Sequence, residues 1–140
     1  MPAHACVAHQ IYQNGSVSNE DHKSNKKVTV TGVCLTSIPY FVIKNRSKIV
    51  ELTVDDNFLN ENSFNMPKFL NLRKLSVKNN KIQNVKVFLA NLRRSCPNIE
   101  NLQIDKNPGW PVKLTDSEKQ WIRIYLNKLQ FLNETEHQKQ

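Results

Sequence analysis

Three asparagines constrain this chain more than any other feature. Asn57, Asn80 and Asn107 each stand five residues after a leucine (Leu52, Leu75, Leu102) and three after a β-branched residue (Val54, Val77, Ile104). A further apolar residue, Ile49, Leu72 or Ile99, leads each block. Neither the period of a strand nor that of a helix accounts for this pattern. The asparagines lie 23 and 27 residues apart, from 57 to 80 and from 80 to 107. Three copies in register describe a repeated structural unit that stacks on its neighbours.

The asparagine has a physical task in such a stack. A short strand, such as the one around Leu75 and Val77, sends alternate side chains inward and outward. The chain must then turn away, leaving main-chain groups without strand partners. A buried carboxamide carries both donors and an acceptor. It can satisfy those groups, which would otherwise cost about 1–3 kcal/mol each. An earlier, degenerate copy, "NKKVTVTGVCL", supplies Val28, Val30 and Leu35 but has Val33 at the asparagine position. Terminal repeats are often atypical in this way.

The connecting segments fit the same plan. In "NVKVFLANLRRSCP", Val85, Phe88, Leu89 and Leu92 share one helical face, with Asn84 as N-cap and Pro97 beyond the end. "LTSIPYFV" and "NMPKFLNL" suit turns or brief helices. After the "PGWP" turn, Thr115 and Glu118 form a capping box. They open a helix whose apolar face holds Trp121, Ile122, Tyr125, Leu126 and Leu129. Such a helix can cover the open end of the stack, and "LQFLN" can add a last strand-like turn through Leu129 and Leu132.

"IVELTVDDNFL", "LRKLSVKNNKI" and "IENLQIDKNP" resemble the SDS22-type leucine-rich repeats. "WIRIYLNKLQFLN" resembles the cap that closes several such proteins, with Asn133 where the cap usually has Asp. The helical insertion before the last repeat and the early cap are similar to those of the leucine-rich melanocyte differentiation-associated family. The spliceosomal U2 A-prime and acidic nuclear phosphoprotein families share the architecture. The expected fold is therefore α/β: a right-handed leucine-rich repeat solenoid with short parallel strands on a concave face and turns and helices on the convex side. The expected organisation is a flexible tail at 1–24, about four repeats over 25–113, a cap at 114–133 and a second flexible tail at 134–140. The resemblance implies a non-enzymatic adaptor for a Rab-type small GTPase in trafficking to lysosome-related organelles. The alternative is a nuclear ribonucleoprotein or chromatin-associated scaffold subunit.

The concave face would present the residues between the buried ones: Lys27, Thr29 and Thr31; Glu51, Thr53 and Asp55; Lys74, Ser76 and Lys78; Asn101, Gln103 and Asp105. It is polar, mixed in charge and suited to reversible protein binding. The net charge of +8 favours acidic partners. Aromatic residues do not alternate with the basic ones, so the stacking platform of single-strand binders is missing and direct nucleic-acid binding is not expected.

No catalytic, cofactor or metal site is expected. His4, His9, His22 and His137 fall in the tails without metal-ligand spacing to the cysteines. Gly15, Gly32 and Gly109 stand singly, so no phosphate loop is present. Asp55 and Asp56 are read as a solvated acidic pair. Arg93 and Arg94 suit the negative end of their helix, and Lys119, Arg123 and Lys128 the solvent face of the cap. Cys6, Cys34 and Cys96 show no paired spacing and are read as reduced, with Cys34 and Cys96 as small buried apolar groups. The glycosylation-like triplets at Asn14, Asn45 and Asn133 are read as chance matches. With no signal-like start and no apolar run of membrane length, a cytoplasmic monomer, peripheral to endosomal membranes or nuclear, is expected.

Overall fold

A computed structural model describes the backbone of residues 16–20, 26–133 and 135–136, and the side chains of residues 26–133. The chain is α/β. Its strands are β1 (Ser16–Glu20), β2 (Lys26–Thr31), β3 (Ile49–Thr53), β4 (Lys74–Ser76), β5 (Asn101–Gln103), β6 (Phe131–Leu132) and β7 (Thr135–Glu136). They form one sheet whose spatial order is the sequence order. β2 to β6 are all parallel, whereas β1 and β7 pair antiparallel at the two ends. Each parallel pair needs a crossover. The crossovers contain α1 (Tyr40–Lys44), α2 (Val85–Ser95), α3 (Asp116–Tyr125) and two 3₁₀ turns, Arg46–Lys48 and Glu61–Phe64.

Register follows the apolar pattern. Val28, Leu52, Leu75, Leu102 and Leu132 align from strand to strand and are buried. Ile49, Leu72 and Ile99 are buried as the spacing predicts. Phe64 and Phe69, which no repeat position marks, are also fully buried; Phe64 meets Phe88 edge to face at 5.1 Å between ring centres. These rings fill the space between strand layer and α2, where aliphatic side chains would leave voids.

The asparagines sit at the turns. Asn57 Oδ1 accepts from the N–H groups of Val33 and Leu35 at 3.1 Å each, and its Nδ2 donates to the carbonyls of Val30, Val54 and Asp55. Asn80 repeats the set with Leu59 N–H and the carbonyls of Val54, Val77 and Lys78. Asn107 repeats it with the N–H groups of Asn80 and Ile82 and the carbonyls of Val77 and Ile104. All three are buried, so each carboxamide satisfies groups in its own turn and the preceding one. At Val33, where the carboxamide is missing, the main-chain N–H is still taken by Asn57 of the next turn.

A feature absent from the sequence reading accompanies this ladder. Gly32, Asp56, Asn79 and Lys106, the residues directly before Val33 and the three asparagines, all have left-handed backbone, with φ between 53° and 65°. Asp and Asn tolerate that conformation and Gly adopts it freely, but Lys does not favour it. The bend therefore recurs even where the asparagine is missing.

The helix boundaries behave as their caps dictate. Asn84 Oδ1 accepts from Val87 N–H at the start of α2, and Thr115 and Glu118 form both bonds of a capping box at the start of α3. α3 ends earlier than its apolar run: Leu126 and Leu129 are buried in the turn after the helix. Strands β1 (16–20) and β7 (135–136) fall within the segments read as tails. Main-chain pairing at the two ends of the sheet, which carries no side-chain signature, places them there. The remainder of both tail readings lies outside the described residues, as do Cys6, Asn14 and all four histidines.

Candidate functional site

The structure brings the twelve expected binding residues onto one face in three rows. Lys27, Glu51, Lys74 and Asn101 align in the first, and Thr29, Thr53, Ser76 and Gln103 in the second. Thr31, at the end of β2, Asp55, Lys78 and Asp105 form the third, where main-chain bonds from Gly32 to Asp55, from Asp56 to Lys78 and from Asn79 to Asp105 continue the parallel register. Lys27 and Glu51 form an ion pair at 3.4 Å. Both are well solvated, so the pair adds little stability.

The rows are not equally available. Ser76 and Gln103 are buried. Ser76 Oγ donates to Asp55 Oδ1 at 2.7 Å, and Lys78 N–H donates to the same oxygen at 2.8 Å. Asp55 thus ties neighbouring strands together, which corrects its reading as half of a solvated pair. Asp56 is exposed and accepts from Asn79 Nδ2. Gln103 Nε2 is held by Asn101 Oδ1 at 2.7 Å. Lys27 is exposed, while Thr29, Thr31, Glu51, Thr53, Lys74, Lys78, Asn101 and Asp105 are half-exposed. The first row also gains a residue missed in the sequence: Phe131, paired in register with Asn101 and 41% exposed. Its signal was its place between Leu129 and Leu132 in a strand-like turn. At the end of the third row Asp55, Asp56, Lys78, Asp105 and Lys106 border a depression of about 420 Å³.

A second site lies away from this face, in a cleft of about 540 Å³ between α2 and α3. Trp110 and Trp121, the only two tryptophans of the chain, both line it. Val85, Leu89, Leu114 and Ile122 form its apolar floor, and Glu61, Lys86 and Glu118 bring charge to it. Lys86 Nζ stands 4.2 Å from the centre of the Trp121 ring, a cation–π contact. Glu61 accepts from Gln83 N–H at 3.0 Å. Burial pushes its carboxyl up, but the N–H groups of Gln83, Glu61 and Asn84 outweigh that and hold it below its ordinary value. In the sequence Trp121 marks cap packing and "PGWP" a turn; nothing local links the two, because the lining comes from four separated segments.

Gly109 makes the cleft possible. Its N–H donates to the Ile82 carbonyl at 2.8 Å, and a Cβ there would lie 1.9 Å from the Gln83 carbonyl oxygen. Only glycine permits that approach, which carries Trp110 against α2.

The remaining groups act structurally. Arg94 bridges the carboxamides of Asn65 and Asn91, and Asn91 Nδ2 reaches the Glu61 carbonyl, which fastens α2 to the 3₁₀ turn. Lys128 donates to Asn98. Cys96 is a buried free thiol whose burial pushes it up to about 12 despite the Ser95 hydroxyl. Cys34 is disulfide-bonded and has left-handed backbone, with φ 61°. This corrects its reading as a reduced, buried apolar group and removes cysteine usage as an argument for a reducing compartment. Among the described residues no helix is long and apolar enough to cross a membrane.

Comparison with protein-family models finds no match, and neither does comparison with curated proteins.

Proposed function

We propose that the chain is a leucine-rich repeat solenoid acting as a non-enzymatic adaptor that binds a protein partner through the open, polar face of its sheet. The carrying observation is the recurring turn: Asn57, Asn80 and Asn107 make the same bonds, one strand apart, behind a left-handed residue. Repeats of this kind hold their strand faces at fixed spacing, and that face commonly serves binding. Here it offers half-exposed polar residues beside the exposed ring of Phe131, a mixture suited to a polar contact with one apolar anchor. The resemblance to the melanocyte differentiation-associated family suggests a Rab-type small GTPase as partner, and with it a place at endosomal or lysosome-related membranes.

Lys74→Glu combined with Phe131→Ala tests the face. Both residues stand in the first row, away from the carboxylates around Lys78, so the fold should survive. The expected result is loss of capture of GTP-loaded Rab-type GTPases by the immobilised variant, with an unchanged melting curve. Equal capture by wild type and variant would remove this face from the reading.

A further inference from the structure

We propose that the cleft between α2 and α3 is a second binding site, independent of the sheet face, that seats one arginine side chain of an extended, otherwise uncharged peptide segment of a partner protein.

Three observations lead there. First, the cleft already holds a cation on its aromatic wall: the ammonium of Lys86, 4.2 Å from the Trp121 ring centre. Lys86 is exposed, and a lysine side chain has many rotamers open to it in water. A planar guanidinium stacks on indole better than an ammonium and is more weakly hydrated, so an arginine can take that place while Lys86 swings into water. Second, the cleft is acidic although the chain is basic overall. Glu61 and Glu118 face one Lys86 in the lining, whereas the chain carries +8. The cleft attracts a cation, and the surrounding positive field repels a polycation. That selects a segment with a single basic residue. Third, two exposed apolar residues stand next in the chain to lining residues: Val87 after Lys86, and Val112, completely exposed, after Pro111. Such flanks suit the apolar neighbours of an arginine in a peptide rather than an isolated small cation.

Both carboxylates can be neutralised with an acceptor oxygen kept in place. Glu118 accepts the Thr115 N–H, Glu61 accepts main-chain N–H groups including that of Gln83, and a glutamine carbonyl oxygen can still accept there.

The experiment uses the tryptophans themselves, since both lie in the cleft and all indole emission reports on it. The probe is acetyl-Pro-Leu-Arg-Pro-Leu-amide, with citrulline in place of arginine as the neutral control. The arginine peptide should change the emission saturably. The citrulline peptide should bind about tenfold more weakly. Glu61→Gln with Glu118→Gln should weaken the arginine peptide similarly while the variant still unfolds in one cooperative transition, whereas Lys86→Ala should tighten it. Equal affinity for both peptides, or an unaltered affinity in the double glutamine variant, overturns the proposal. So does emission that changes only with dilution of the protein and ignores the peptide, the behaviour of a cleft filled by a second copy of the chain. Loss of GTPase capture by the sheet-face variant leaves this titration unaffected, so the two sites fail separately.

Discussion

The side-chain oxygen of Asn107 accepts the main-chain N–H of Asn80 at 3.2 Å. The asparagine of one repeat thereby completes the turn of the repeat before it, and its Nδ2 reaches back to Val77 as well as to its own Ile104. The turns are coupled through side chains rather than merely stacked.

Asn107→Ala should therefore destabilise two repeats at once. It orphans buried partners in both turns, and a loss of about 3 kcal/mol or more follows if two or more of them stay dry. Denaturant unfolding measures it. A loss below about 1 kcal/mol would mean that water replaces the carboxamide.

Gly109→Ala should destabilise the fold and displace Trp110, because the added methyl collides with the Gln83 carbonyl, which is main chain and cannot rotate aside. A lower melting temperature together with a red shift of tryptophan emission is expected. An unchanged spectrum would show that the loop yields without moving the ring.

Glu61 should contribute an acid-dependent increment of stability. Its folded carboxyl titrates below the ordinary value of 4.5, so the contribution is present above that pH and is lost as pH falls through the folded value. Glu61→Gln should lower stability near neutrality, where the ionised carboxylate contributes, and the two proteins should converge as pH falls below about 4.5. A parallel profile for the two proteins would remove the main-chain bonds to Glu61 as the cause.

Cys96 should resist alkylation in the native protein at pH 8 and react once the chain is unfolded. Burial denies access and keeps the thiol protonated, with its titration pushed up to about 12; the thiolate is the reactive form. Mass spectrometry after iodoacetamide treatment, with and without denaturant, reads the difference. Rapid native labelling at Cys96 would place it at the surface.

The repeat spacing was legible because burial and hydrogen bonding act on fixed offsets. Leu52, Leu75 and Leu102 had to align, and a carboxamide three residues after each inward Val or Ile could only serve a turn. The caps Asn84 and Thr115 were legible for the same local reason. Availability within the polar face was not. Ser76 and Gln103 occupy outward positions yet are buried, Gln103 is held by Asn101 of its own strand, and Asp55 is spent on Ser76 and Lys78. Strand alternation says which way a side chain points, not what the next strand places over it.

The sequence by itself thus determined the register of the sheet, the turn carboxamides and the starts of α2 and α3, since each depends on residues a few places apart or on a repeated offset. Only the tertiary structure decided where β1 and β7 close the sheet, and that Glu61, Lys86, Trp110 and Trp121 share one cleft. Those outcomes depend on main-chain pairing without a side-chain code and on the approach of Gly109 to Gln83, contacts between segments that no periodicity connects.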